Sequence, residues 1–292
     1  MISPGLEGKV AVITGANHGI GAATAKALAA QGVSVFITYL RLHTDEFGRG
    51  AALPPEPGEE QYRAYQARPA LDVVEAIREA DGQAEAWEMD LTEPANIPQL
   101  FDRAEAALGP VDILINNATH CVSDSFLPRA ELGEDARAAD GMPLVSVTAE
   151  GIDRHFAVNV RATALLAAEF ARRYIARQGT WGRIVSISTD GASCFPTEIS
   201  YGASKHAIES YTRSAAAELG PHGVTCNILS LGPVQTGWIA REMEEAMLTD
   251  IPLRRIGQPE DVANAIVFLT STQADWITGQ LIYVGGGHVM GL

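Results

Sequence analysis

Cysteine is scarce in this sequence: 292 residues hold three, at Cys121, Cys194 and Cys226. So small and odd a set builds no disulfide framework and suits a reducing, cytoplasmic compartment. No apolar run approaches the roughly 20 residues that a membrane-crossing helix needs. Met1 to Lys9 lacks the charged-then-apolar pattern of a secretion signal. Basic residues are outnumbered, with 21 Lys and Arg against 36 Asp and Glu and a formal net charge of −15. A surface that negative repels phosphate backbones and anionic headgroups, which argues against nucleic acid and membranes as partners. It does not exclude an anionic cofactor, because a few local donors override the global field. No His, Cys and Asp cluster has metal-ligand spacing, and no internal repeat or linker divides the chain. What is present is a globular composition, 47% hydrophobic, that buries a full core.

Strand-like and helix-like segments alternate. Lys9 to Thr14 reads as a strand, Ala22 to Gln31 as a helix stopped by Gly32, and Val33 to Tyr39 as a second strand. Helix and strand follow at Ala70 to Ala80 and Gln83 to Met89, and again at Ile97 to Leu108 and Val111 to Asn116. Ala149 to Gln178 is a long helical candidate. Then come a strand at Arg183 to Ser188, a helix at Tyr201 to Leu219 and a strand at Val224 to Leu229. The alternation ends with a helix over Pro259 to Ser271 and a strand over Gln280 to Val284. The pattern predicts an α/β protein: one domain over residues 1–292, with a doubly wound parallel sheet of about seven strands and helices on both faces. Two irregular stretches interrupt it, Leu40–Pro69 and Thr119–Thr148. The first carries Gly48, Gly50, Pro54, Pro55, Pro57 and Gly58 among charges, which is loop chemistry. Stretches this long are usually functional or disordered.

The turn after the first strand reads Thr14-Gly15-Ala16-Asn17-His18-Gly19-Ile20-Gly21. Glycines let a backbone approach a pyrophosphate, and the following helix N-terminus favours its charge. A Gly-rich turn alone is weak; its place directly after strand one points to a dinucleotide. Tyr201 and Lys205 lie four apart, on one face of a helix. An ammonium beside a phenol favours the phenolate and lowers a pKa of about 10 toward neutrality. By itself the pair is more often a solvated helix face. Ser188, thirteen residues before Tyr201, closes a strand at the edge where doubly wound sheets bind ligands. Asn159 sits inside a helical pattern and needs a polar partner or exposure. Asn116-Asn117-Ala118 closes strand four, and Asp90-Leu91 closes strand three, where a carboxylate can accept an adenine amino group. Each of these is bland alone.

Together they resemble the short-chain dehydrogenase/reductase family. The matching motifs are Thr-Gly-x3-Gly-Ile-Gly at 14–21, Asp90-Leu91, Asn116-Asn117-Ala118, Asn159, Ser188 and Tyr201-x3-Lys205. They continue with Gly232-Pro233-Val234-Gln235-Thr236, Gly257 to Ala263 and Ile277 to Gln280, so the resemblance covers nearly everything outside the two irregular stretches. The C-terminal region is similar to enzymes labelled 3-oxoacyl-carrier-protein reductase. The resemblance implies a Rossmann-like fold and an NAD(P)(H)-dependent oxidoreductase that interconverts a small-molecule carbonyl and a secondary alcohol. Tyr201 would be general acid in reduction and base in oxidation. Lys205 would hold the nicotinamide ribose, Ser188 the substrate oxygen, and Asn159 a water of the proton relay. Gly15, Asn17, His18, Gly19, Ile20, Gly21, Asp90, Leu91, Asn117, Ala118, Gly232, Val234 and Thr236 would line the cofactor. The resemblance further implies a homo-oligomer, tetramer or dimer, packed through the helices around 149–178 and 201–219.

Thr119 departs from the family's usual glycine, and Leu231 from a usual proline. Cofactor choice turns on the end of strand two. NAD enzymes of this fold place a carboxylate about there for the ribose 2′-hydroxyl. Here that position is near Tyr39, and no carboxylate occurs from Val33 to Thr44, whereas Arg41 can pair with a 2′-phosphate. NADP(H) is therefore expected over NAD(H), although Asp45 or Glu46 folding back would favour NAD. The two irregular stretches leave the sheet at its ligand-binding edge and are expected to form one lid, with Phe47, Tyr62, Tyr65, Phe126, Leu127 and Met142 facing the substrate. Two rival readings stand beside the enzyme. One is a non-catalytic dinucleotide-binding sensor or scaffold. The other is a sugar-nucleotide epimerase or dehydratase, which would want more than the 56 residues that follow Thr236.

Overall fold

The computed structural model describes residues 4–47, 52–133, 135–138 and 141–289. Gly48 and Gly50, counted above as loop residues, lie outside the described residues. The chain opens with β1 (Val10–Thr14), α1 (Gly19–Ala29) and β2 (Ser34–Tyr39). Then follow α2 (Glu59–Gln66), α3 (Leu71–Glu79), β3 (Ala84–Glu88), α4 (Asn96–Leu108) and β4 (Ile113–Asn116). The second irregular stretch holds β5 (Asp124–Ser125), α5 (Arg129–Leu132) and β6 (Val145–Ser146). Beyond it come α6 (Ala149–His155), α7 (Thr163–Ala176), β7 (Gly182–Thr189), α8 (Ile199–Leu219) and β8 (Val224–Leu231). Helices α9 (Arg241–Met247) and α10 (Pro259–Thr270) precede the last strand, β9 (Leu281–Val284).

Seven strands form one parallel sheet in the order β3-β2-β1-β4-β7-β8-β9. Its central strands are buried on both faces, as parallel strands under crossover helices must be: every residue of β1, β4, β7 and β8 is buried. Alternate residues feed two cores. Ala11, Ile13, Ile113, Ile115, Val185 and Ile187 pack under α1, α3 and α10. Val12, Leu114, Ile184 and Cys226 pack under α4, α7 and α8. The chain runs outward from β1 to β3 and then returns to β4. The strand order therefore reverses between β1 and β4, and a ligand crevice opens at the C-terminal ends there.

Three expectations about elements need correction. Leu40–Pro69 is not wholly loop, because α2 forms inside it; Glu-Glu-Gln-Tyr-Arg-Ala-Tyr-Gln is a good helical run whose Glu59 and Arg63 stand one turn apart. The helix expected over Ala149 to Gln178 is interrupted by a π-helical segment, Phe156–Ala162. Its centre is Asn159, whose side chain is drawn into bonds across the fold, and π turns collect at such sites. Finally, β7 runs one residue past Ser188, to Thr189. Helix α9 also forms in a stretch with no assignment from sequence.

Candidate active site

The Gly-rich turn is shaped as a cradle. Gly15 has a positive φ of 65°, and a Cβ there would stand 2.8 Å from the Ala118 Cα. A Cβ on Gly21 would meet the Gly15 carbonyl at 2.4 Å. Helix α1 starts at Gly19 with no side-chain cap from His18, so its first N–H groups face the turn. Those features fit a dinucleotide pyrophosphate.

The residues around the cradle divide by what they bond. Asn117 Nδ2 donates to the carbonyls of Thr14 and Gly15, both at 2.9 Å, and Thr14 Oγ1 accepts from the N–H of Asn117 and of Ala118, both at 3.0 Å. These residues brace the turn from the β4 side. Asn17 Nδ2 donates to the Arg68 carbonyl at 2.9 Å. His18 stacks parallel on Tyr65 of α2 with ring centroids 6.3 Å apart, and Tyr62 stands edge-on at 5.9 Å. Burial beneath α2 lowers the His18 pKa to about 4, so the ring is neutral at pH 7. A Cβ on Gly19 would stand 3.1 Å from the Thr236 side chain, and one on Gly232 would stand 2.8 Å from the Gly285 Cα, so both close approaches depend on glycine. Val234 is buried, and Ile20 and Leu91 pack at the margins of the two cores. Asp90 Oδ1 accepts the Thr92 N–H at 2.8 Å, which closes a turn at the end of β3.

At the far end of the crevice, α8 carries Tyr201 and Lys205 on one face. Lys205 is buried; its Nζ donates to the Ile187 carbonyl at 2.9 Å and stands 5.5 Å from the Tyr201 ring centre. Burial lowers the Lys205 pKa to about 8. Burial also pushes the Tyr201 phenol well above its ordinary value, helped by Cys121, Glu198, Tyr62 and Asp190 around it. In the chain alone the expected depression of the phenol pKa by Lys205 is thus outweighed by desolvation. Asn159 uses its whole side chain. Its oxygen accepts from the His120 N–H at 2.7 Å and the Thr119 hydroxyl at 3.2 Å, and its amide donates to the His120 carbonyl at 2.9 Å and Ser204 Oγ at 2.8 Å. With both lone pairs and both protons so committed, a relay water would have to be held by other atoms. The unusual Thr119 is explained by the same network. Ser188 points into the protein: its Oγ donates to Glu209 Oε1 of α8 at 2.7 Å.

Several neighbours escaped the sequence reading. Glu88 is paired with Tyr39 in register, and its carboxylate clamps Arg41, with Nε at 3.0 and 2.9 Å and Nη2 at 2.9 Å. Cys121 Sγ meets Glu198 Oε2 at 3.5 Å, and Asp190 pairs with His288 at 2.7 Å. Nothing in their local sequence marks them; only the crossing of strand ends brings them to the site. Of the expected lid residues, Tyr62 and Tyr65 do face the phosphate turn, while Phe126 and Leu127 point outward, 79% and 54% exposed. Arg137 of the second stretch reaches Glu59 of α2 at 3.3 Å, and the Gly58 N–H donates to the Gly237 carbonyl at 2.8 Å.

Comparison with known proteins identifies the family. Residues 9–46 match the family model of short chain dehydrogenases, and residues 48–288 match the model described as enoyl-(acyl carrier protein) reductase. The chain is 32% identical to the uncharacterized oxidoreductase YjdA of Bacillus subtilis, over 97% of this chain and 98% of that one. It is 33% identical to a short-chain type dehydrogenase/reductase of Picea abies, covering 97% and 93%. Among solved structures, a dehydrogenase/reductase from Sinorhizobium meliloti superposes with a TM-score of 0.77 at 30% identity, covering 99% and 98%. A variant of a Serratia marcescens short-chain dehydrogenase/reductase superposes with a TM-score of 0.75 at 29% identity. The chain belongs to the short-chain dehydrogenase/reductase family, whose members are NAD(P)-dependent oxidoreductases with a Rossmann fold.

Proposed function

We propose that this chain interconverts a small carbonyl compound and a secondary alcohol, with Tyr201 as proton donor in reduction and acceptor in oxidation. The observation that carries the reading is the enclosed pair on α8, a phenol held protonated by burial beside a buried lysine, at the ligand-binding edge of the sheet. A phenol kept protonated at neutral pH suits the reductive direction. Bound nicotinamide supplies the hydride. Lys205 is placed to hold the nicotinamide ribose, and its ammonium stabilises the phenolate left when the proton departs. Asn159 keeps the 119–121 loop and α8 in register through its bonds to His120 and Ser204. Tyr201→Phe tests the reading: turnover should fall by roughly 10²–10⁴-fold with cofactor affinity little changed. Near wild-type turnover in that variant would end it.

The preferred cofactor in this reading is NADP(H). Glu88 occupies one edge of the Arg41 guanidinium and so orients it; the Nη1 edge remains to meet a 2′-phosphate beside Tyr39. Asp90, Gly15 and the 17–21 turn, Asn117, Ala118, Gly232, Val234 and Thr236 would line the same groove. The chain would act as one unit over 1–292, in the cytoplasm, as a homo-oligomer. Support for the location comes from Cys121, Cys194 and Cys226, which form no disulfide with one another. Support for assembly comes from the apolar side chains left exposed along α6 and α7, Ile152, Leu165 and Ile175.

A further inference from the structure

We propose that α2 is a clasp over the middle of the cofactor groove, so that a dinucleotide enters and leaves only when α2 lifts. The proposal rests on the pyrophosphate cradle and not on the carbonyl–alcohol reading, so either can fail without the other. The groove runs along the C-terminal ends of the strands, from Arg41 and Asp90 beyond β2 and β3 to Tyr201 on α8. The Gly-rich turn lies between these ends, where the strand order reverses. Its walls leave the sheet from β1 and from β8, with the ends of β4 and β7 between them. Helix α2 is tied to both walls. On the β1 side, the Tyr65 ring lies parallel to His18 at 6.3 Å and the Tyr62 ring stands edge-on to it at 5.9 Å. Asn17 Nδ2 holds the Arg68 carbonyl, two residues past α2, at 2.9 Å. On the β8 side, the Gly58 N–H donates to the Gly237 carbonyl at 2.8 Å. Tyr65 lies so close on Gly237 that a Cβ there would meet its ring at 2.7 Å, and Gly237 has a positive φ of 101°. The Tyr65 ring therefore touches both walls at once. Outside the groove, Glu56 pairs with Arg241 at 2.5 Å and Glu59 with Arg137 at 3.3 Å. These ion pairs face water and contribute little, so packing of the Tyr65 ring does most of the holding.

A dinucleotide has a thick end on each side of its pyrophosphate. Strapped at the middle, neither the adenosine nor the nicotinamide end threads beneath a helix, and exchange waits for the strap to open. The contacts named join protein to protein, so lifting α2 costs the same whether or not a cofactor lies below it. Capture and release are then slowed by one common factor, the fraction of time that the clasp stands open, and affinity is left almost unaltered.

Stopped-flow mixing of the full chain with NADPH, and separately with NADH, tests this; the tighter of the two is read. Energy transfer from tryptophan to the reduced nicotinamide reports capture, and displacement by excess oxidised dinucleotide reports release. Tyr65→Ala removes the ring that joins the walls. It should raise kon and koff together, each by about tenfold, with Kd within about threefold of wild type, the size expected on losing one packed ring. Tyr65→Phe keeps the ring and should match wild type. A second pair acts from outside the groove. Glu56→Arg sets like charges at the end of the clasp and should raise both rates by about threefold at low salt. Combining it with Arg241→Glu should restore the wild-type rates. Glu56 and Arg241 are 62% and 72% exposed, so this arm stands even where Tyr65→Ala does not fold. A rise in koff alone would make α2 an ordinary contact to bound cofactor. That result, rates that do not rise in either arm, or failure of both dinucleotides to bind would overturn the proposal.

Discussion

Lys205 offers a direct measure of how enclosed the site is. Burial lowers its pKa from 10.5 to about 8. In the unfolded chain the amine keeps its ordinary value, so between pH 8 and 10.5 the unfolded state binds more protons than the folded one. Stability contributed by this group therefore rises with pH across that window. At 1.36 kcal/mol per unit, the drop from 10.5 to about 8 corresponds to about 3 kcal/mol of penalty for carrying the buried charge. Between pH 7.5 and 9.5, about 2 kcal/mol of that penalty should be relieved. Two buried groups act oppositely. The Tyr201 phenol and the Cys226 thiol, the latter pushed up to about 12, lose stability as the unfolded forms ionise above their ordinary values. The clean quantity is thus the difference between wild type and Lys205→Met, a replacement of similar length that removes only the titrating head. Urea unfolding of both proteins at a series of pH values, without cofactor, reads it. Wild type should gain on the variant by about 2 kcal/mol from pH 7.5 to 9.5. A difference that stays flat would mean that Lys205 is solvated and that the Tyr201–Lys205 pair is not enclosed.

Further outcomes are expected from the groups that flank this pair. Arg41→Ala should lower kcat/KM for NADPH at least tenfold and change NADH much less; an unaltered NADPH to NADH ratio would remove Arg41 from cofactor choice. Tyr65→Ala takes the ring off His18, so an NMR titration should move the His18 pKa from about 4 toward 6.5, and a value still near 4 would show that α2 does not cause its burial. Replacing 127–143 by a short Gly-Ser link should change KM or substrate range while the cofactor Kd stays nearly constant. Unchanged kinetics across a substrate panel would separate the second irregular stretch from the pocket. The cut spares Asp124 because its carboxylate accepts the Ser200 N–H at 2.9 Å and so fixes the start of α8.

The sheet was legible because its information is local and repeated. Val10–Thr14 and Ile113–Asn116 are largely apolar runs that only a doubly covered strand can hide, and helical patterns recur between the strands along the chain. The phosphate turn was legible for the same reason, since a strand, three glycines and a helix lie within a few residues of one another. Helix α2 was hidden by its surroundings. The prolines and glycines of 54–58 set the texture of the whole stretch, and the eight residues that follow were read with it. The π-helical interruption at Phe156–Ala162 had no local signal at all, because its cause is the set of partners that Asn159 finds on His120 and Ser204.

The harder limit concerns strand ends, where the chemistry of this fold is done. A motif carries residue types and spacings, but a substrate meets side-chain directions, and in a strand these reverse at every residue. Ser188 and Thr189 differ by one position, yet the first spends its proton on Glu209 of α8 and the second is the last residue of β7. Arg41 follows the same logic. Its partner Glu88 is 47 residues away in sequence and adjacent only because β2 and β3 pair in register. Both pairs carry opposite implications for function according to a register that neither residue encodes. Spacing rules therefore single out a strand end, whereas the neighbouring strand and helix decide which of its side chains already have partners inside the fold.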